Sequence, residues 1–480
     1  MKLKKTGVEP GVLFLLLIIA GVSSVPLMTD YVLEGSDLGA SFGRIEAVKE
    51  GLGKVFPIRV SPWPSEELGH AAASFQGDVF YLVPALLRWL GAGLGTAYKL
   101  TMLLASFGAA LAAYSSFRRC FGSREIGLAG SMLFTWCPCR LNEVYVRGNL
   151  GEAAAWTFLP LAVSGLVRLY TLEENQGEYG EVWKECAWGF GLLALSSTGI
   201  FSVTVGMALV LFFCMGRCSL SRKRLLALGK VSGALAVTCG WFLAPMLLRL
   251  WNLPAGELQA VGQIRSGGMY PGQYLSVFLW GGRGRDFYSQ GMTGAQALGP
   301  GIGVVLLALL YVWFLYAGKV APRRERRLGL GMLGTVLVMV WFSSGSFPWD
   351  LLQGRNPLAD MLLNLFWTPA QWGTAACAGM VVLACLALGQ GTRCWEESRF
   401  LGLLIGVGAV CLGTTQFFLG NILQTGAFVR APQEDSVLVP LQVLAEESAA
   451  WRLCEAVCLA AVCICLVRII LRRRKNAKKI

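Results

Sequence analysis

The chain has 480 residues, 55% hydrophobic and 15% charged, with a net charge of +13 and a mean hydropathy of +0.56. Soluble globular proteins carry roughly 25% charged residues, so a water-soluble enzyme is excluded, and the excess of Lys and Arg is what bilayer orientation demands beside membrane spans, with no nucleic acid as partner. A single histidine, His70, leaves too few imidazoles for ordinary zinc sites and nearly closes off a Ser-His-Asp triad, so carboxylates, arginines and aromatics must carry any chemistry.

In chain order, Lys2, Lys4 and Lys5 precede the apolar run Val12 to Val22, which predicts an uncleaved first span within 1–28. Segment 78–95 is apolar but holds Pro84 and Arg88. If it crossed, Arg118, Arg119 and Arg124 would fall outside, against the cytoplasmic preference of basic residues, so it reads as an interfacial helix. Further spans are predicted near 97–117, 126–142, 153–170, 185–197, 200–216, 226–248, 300–318, 328–345, 374–389, 400–418 and 449–470. The run 185–216 admits two crossings broken at Ser196-Ser197-Thr198-Gly199 or one kinked helix. The expectation is an all-α polytopic membrane protein of about 12 spans with both termini cytoplasmic. Its segments are a transmembrane core at 97–248, pairs at 300–345 and 374–418, and a last span with basic tail at 449–480. Outer segments fall at 29–96, 249–299, 346–373 and 419–448, and function is expected there. Most of the 15 cysteines lie inside apolar runs and read as small hydrophobes, while Cys137-Pro138-Cys139 is the close pair open to a redox or metal role.

The first outer loop holds the strongest chemical signal. From Leu38 to Leu52 apolar residues recur at helical spacing, predicting an amphipathic interfacial helix with Asp37 just ahead of it. Asp37 suits an N-cap. It also suits a general base that takes a proton from an acceptor hydroxyl attacking an activated sugar carbon, the two roles being compatible. A lipid-phosphate leaving group would then need cations, and Arg44, Arg59 and Arg147 are the candidates. Asp78 reads as a helix cap or as a catalytic or metal-binding carboxylate, and Glu152 as a favourable charge at a helix start, paired with Arg147. Tyr270, Tyr274 and Trp280 suit either a sugar or the membrane interface, and Trp367 and Gln371 are taken as cavity lining. A donor phosphate could recruit Mg²⁺ or Mn²⁺ through Asp37 or Asp78.

Several landmarks carry a family likeness. They are Gly35, Asp37 and Leu38; Arg44-Ile45-Glu46; Phe56-Pro57-Ile58-Arg59; Gly77-Asp78 before the apolar run ending near Pro84; and Tyr145, Arg147, Gly151 and Glu152. On these the stretch from Gly35 to Pro160 resembles the bacterial YfhO-like membrane proteins, also called 6-pyruvoyl-tetrahydropterin-synthase-related membrane proteins, which are similar to the GT-C superfamily of lipid-dependent glycosyltransferases. The resemblance implies a GT-C-like bundle with interfacial helices in the first outer loop, a polyprenyl-phosphate sugar donor, a place in the bacterial plasma membrane, and Asp37 as the loop-one catalytic aspartate. The chain departs from the family at Ser36 and Ser41, where members carry His, at Leu195-Ser196-Ser197 in place of Leu-Ser-His, and at Gln371, where an Arg is usual. Two other readings follow: a transporter or flippase of lipid-linked saccharide, which would need charges deep in the spans, and a catalytically silent scaffold for cell-envelope proteins.

Overall fold

In lipid a backbone must satisfy its own hydrogen bonds, so long apolar runs fold as helices. The computed structural model of the chain describes residues 9–29, 31–52, 77, 79–175, 177–251, 267–275, 298–320, 323–366, 368–425 and 428–429, and among these it is helical nearly throughout. The helices are α1 (Pro10–Ser23), α2 (Leu38–Gly51), α3 (Leu82–Trp89), α4 (Leu94–Phe121), α5 (Arg124–Thr135), α6 (Pro138–Asn142), α7 (Leu150–Thr171) and α8 (Tyr179–Ser196). They continue with α9 (Thr198–Cys214), α10 (Arg222–Trp251), α11 (Ile302–Tyr316), α12 (Arg323–Ser343), α13 (Pro357–Asn364), α14 (Trp372–Cys394) and α15 (Glu397–Thr425). Six helices among the described residues (α4, α7, α10, α12, α14 and α15) are long and apolar enough to cross a membrane, and α1, α9 and α11 are shorter apolar helices. The last predicted span, 449–470, lies outside the described residues.

Local chemistry sets the boundaries. Gly122 ends α4 in a left-handed turn at φ 68°, and the Ser123 hydroxyl accepts from the Ile126 amide to start α5. The predicted span 126–142 is not continuous. Pro138 has no amide proton and drives Cys137 to φ −58°, ψ 121°, so α5 stops at Thr135, α6 restarts at Pro138, and a π-helical turn runs over Glu143–Arg147. The run 185–216 divides into α8 and α9 at Ser197, whose extended backbone and hydroxyl cap α9 through the Ile200 amide at 3.3 Å.

The core sits around α7 and α14. Helix α14 presents Ala375, Ala376, Ala378, Gly379, Ala384 and Ala387, all buried, to α5, α9, α11 and α12. Such small residues let helix backbones approach where lipid provides no hydrophobic drive for association. Helix α15, by contrast, turns Leu401, Ile405, Leu412 and Phe417 outward. At the end of the bundle where α1 finishes and α7 begins, a two-residue strand β1 (Val32–Leu33) pairs antiparallel with β2 (Phe428–Val429), Val32 opposite Val429. This pairing holds the chain just before Asp37 against the segment that follows α15.

Candidate functional site

Backbone contacts bring two of the sequence landmarks together. The amides of Ser36 and Asp37 donate to the carbonyls of Val146 (3.2 Å) and Arg147 (2.7 Å), so the head of α2 docks on the π-helical turn. Only a glycine fits at position 35, because a Cβ there would lie 2.5 Å from the Arg147 carbonyl oxygen. Gly148, at φ 68°, then reverses the chain into α7, and its carbonyl accepts from Ser41 Oγ (3.0 Å) and Tyr98 OH (3.1 Å). Gly35→Ala is expected to cost about 1–3 kcal/mol by overpacking, read as a lower unfolding midpoint in detergent.

Asp37 occupies the N-cap position of α2, yet its side chain makes no cap bond. The cap reading is therefore corrected: Oδ2 accepts from Arg147 Nη2 at 2.7 Å and from Asn149 Nδ2 at 3.1 Å, and Oδ1 from Ser36 Oγ at 3.1 Å. Arg147 is the hub. Its Nη1 donates to Glu143 Oε2 at 3.0 Å and to Glu152 Oε2 at 2.6 Å, so one guanidinium serves three carboxylates. Glu152 Oε1 in turn accepts from Gln371 Nε2 at 3.1 Å. Asn149 caps α7 by accepting from the Glu152 amide at 3.0 Å.

The electrostatics follow from burial. The side chains of Glu143 and Glu152 are only 7% and 4% exposed, while Asp37 keeps 27% and Arg147 20%. Burial pushes the Glu143 carboxyl well above the usual carboxylate range; Arg147 pulls it back only in part, and Glu152 adds to the push. For Arg147 burial disfavours the charge, but Glu143, Glu152 and Asp37 outweigh it and hold the guanidinium protonated. The cluster thus presents one partly exposed carboxylate beside one partly exposed cation, backed by two buried acids.

Among the predicted site residues, the structure gathers Asp37, Arg147, Glu152 and Gln371. Arg44, two turns along α2, is buried with its guanidinium 5.0 Å from the Tyr81 ring centre. Tyr270 is exposed, whereas Tyr274 is buried and hydrogen-bonded to Ser343 Oγ at 2.7 Å, the contact of a packing residue. Trp372, next to Gln371, stacks on Trp349 at 5.9 Å inside a packed aromatic cluster. Arg59, Asp78, Trp280 and Trp367 lie outside the described residues. Of the positions where the sequence departs from the pattern it resembles, Ser36 bonds Asp37, Ser41 bonds the Gly148 carbonyl and Gln371 reaches Glu152, while Ser197 caps α9. Sequence reasoning missed Glu143 and Asn149. The i,i+4 spacing of Glu143 and Arg147 and the Asn-x-x-Glu pattern at 149–152 were the available signals.

No protein-family model and no curated protein matches the sequence. Solved structures do resemble it. The arabinofuranosyltransferase AftD from Mycobacteria aligns at TM-score 0.50 and 12% identity, over 88% of this chain and 28% of that one. The oligosaccharyltransferase from Archaeoglobus fulgidus aligns at TM-score 0.51 and 12% identity, over 89% of this chain and 57% of that one. The chain shares the fold of the portions of these two proteins with which it aligns. It spans 28% and 57% of the length of these two glycosyltransferases, and the likeness is one of fold.

No disulfide joins the described cysteines, and seven of them, Cys137, Cys139, Cys186, Cys239, Cys377, Cys385 and Cys411, are buried inside or beside the helices. Among the described residues no group of three or more His, Cys, Asp or Glu side chains is disposed to hold a metal ion.

Proposed function

We propose that the chain is a membrane glycosyltransferase of the GT-C type, akin to the YfhO-like proteins. It would cross the bacterial plasma membrane about 12 times and move a sugar from a polyprenyl-phosphate donor to an extracytoplasmic acceptor. One observation carries the reading: the Asp37 carboxylate forgoes the helix cap it is placed to make and turns to Arg147 in a partly exposed cluster. A capping aspartate has no need of that partner.

In the proposed reaction the donor phosphate takes the place of Asp37 on Arg147, and the freed carboxylate receives the acceptor proton. The acceptor oxygen bonds the anomeric carbon as the bond from that carbon to the phosphate oxygen breaks, its electron pair leaving on the phosphate. A single displacement inverts the anomeric centre. Arg147 stays protonated throughout and neutralises the leaving charge. Arg44 and Arg59 would serve further along the lipid phosphate.

The Mg²⁺ or Mn²⁺ expected at Asp37 and Asp78 fits the described side chains poorly. Asp37 already accepts from a guanidinium, and its nearest acidic neighbours, Glu143 and Glu152, share that guanidinium, so no step is routed through a metal. The transport reading draws on Arg140, a wholly buried cation whose Nη1 donates to the Thr135 carbonyl at 2.9 Å and Nη2 to Ser106 Oγ at 2.8 Å. The scaffold reading draws on Ser36, Ser41, Ser197 and Gln371 standing where the family has His and Arg.

A photoreactive prenyl phosphate tests the donor site. Labelling is expected in peptides covering 35–46 and 143–152, and excess unlabelled prenyl phosphate should suppress it. Labelling that is spread over the bundle, or that competitor leaves unchanged, would count against the reading.

A further inference from the structure

We propose that Glu143 and Glu152 hold a single proton between them, and that this proton sets the charge an anionic donor meets at Arg147. The first half rests on geometry alone; the second rests on the proposed function.

Both carboxyls are nearly sealed from solvent, and the Oε2 atoms of both lie within 3.0 Å of the same Arg147 nitrogen. Two like charges so close, in a medium that solvates them poorly, do not both ionise, and the pair keeps one proton. The partners differ in their other contacts. Glu152 Oε1 is already engaged as acceptor by the Gln371 amide at 3.1 Å, and the proton is proposed to sit on Glu143. The upward push of burial on Glu143 agrees with that division.

Facing the pair are Arg147 from the same turn, Asp37 from the head of α2 and Cys139 from α6. Tyr98 from α4 reaches the turn through the Gly148 carbonyl, and Gln371 comes from the segment leading into α14. With the proton in place, Arg147 balances one of the two remaining carboxylates, Asp37 and Glu152. Without it a third negative charge stands beside the position a phosphate must take, so loss of the proton weakens anion binding. Stability moves the same way. Because the folded value of Glu143 is raised above the ordinary 4.5, its contribution is full below that pH and is lost as pH rises through the raised value.

Two measurements on the full chain in nanodiscs test this. Infrared difference spectra between alkaline and neutral pH should show a protonated-carboxyl carbonyl band in the wild type. Glu143→Gln should lose it and Asp37→Asn should keep it. Where Glu143→Gln does not fold, Glu152→Gln serves: with its acidic neighbour gone, Glu143 should release its proton at a lower pH, and the band should weaken at neutral pH. The second measurement uses a short-chain prenyl methyl phosphodiester, whose charge is constant over the range. Its affinity should fall about tenfold per pH unit on the alkaline side, the limit for one linked proton, and Glu143→Gln should flatten that dependence. A wild type without the band at neutral pH, or a band untouched in both Gln variants, overturns the shared proton. A band that behaves as expected beside pH-independent phosphodiester binding overturns the second half, and undetectable binding overturns the donor phosphate at Arg147 as well.

Discussion

Replacing Asp37 with Asn is expected to lower sugar transfer about 10²–10⁴-fold, the usual contribution of a positioned general base. The fold should survive. Asn retains an oxygen that accepts from Arg147 Nη2, and Arg147 keeps Glu143 and Glu152 as partners. What is lost is one charge in a partly exposed pair, about 1 kcal/mol or less. Initial rates with labelled donor, on variant protein matched by gel filtration to the wild type, check this directly. A folded Asp37→Asn protein that transfers sugar at the wild-type rate would place the base elsewhere.

Arg147→Met is expected to destabilise the protein by about 3–5 kcal/mol, because it leaves two buried carboxyls and Asp37 without their common cation. The loss should shrink as pH falls and the carboxyls take up protons. It should also shrink in the double variant with Glu152→Gln, since residues in one network couple rather than add. Arg147→Lys should recover part of the stability and little of the transfer. A single ammonium cannot reproduce the two-nitrogen fork that holds Asp37 on one side and both glutamates on the other. Denaturant or thermal unfolding in detergent gives the energies, and an Arg147→Met protein within 1 kcal/mol of wild type would remove the hub from the site.

Periodicity and length located most helices, since in lipid an apolar run of sufficient length has few other options. The head of α2 was legible for a different reason: Asp37 precedes a run of helical spacing from Leu38, and the helix spans Leu38–Gly51. Asp37's partner was harder to read. The sequence offered a free amide to cap, and the structure chose Arg147, 110 residues away, because Gly35 lets the two backbones meet. Hydropathy also ran α5 through to 142 without registering that Pro138 forbids a continuous ladder. Tyr274 shows the limit of composition, since an aromatic beside glycines fits a sugar site or a core equally, and its bond to Ser343 decides for packing. Glu143 escaped notice because its weight comes from burial between segments, which one strand of sequence does not express.

The positions where the sequence departs from the pattern it resembles behave in the same way. Taken singly, Ser41, Ser197 and Gln371 look like lost catalytic groups. In place, Ser41 ties Gly148 to α2, Ser197 starts α9 and Gln371 fixes Glu152, so each supports the cluster or a helix that frames it.

The most direct measurement is transfer by sealed vesicles carrying the protein, supplied with polyprenyl-phosphate sugars labelled separately in the sugar and in the lipid. The expected result is sugar label in an acceptor of inverted anomeric configuration, an equal yield of free polyprenyl phosphate, and neither product from Asp37→Asn. Sugar label that stays on its lipid, whether it crosses the bilayer or remains where it was added, would contradict sugar transfer at the Asp37–Arg147 cluster.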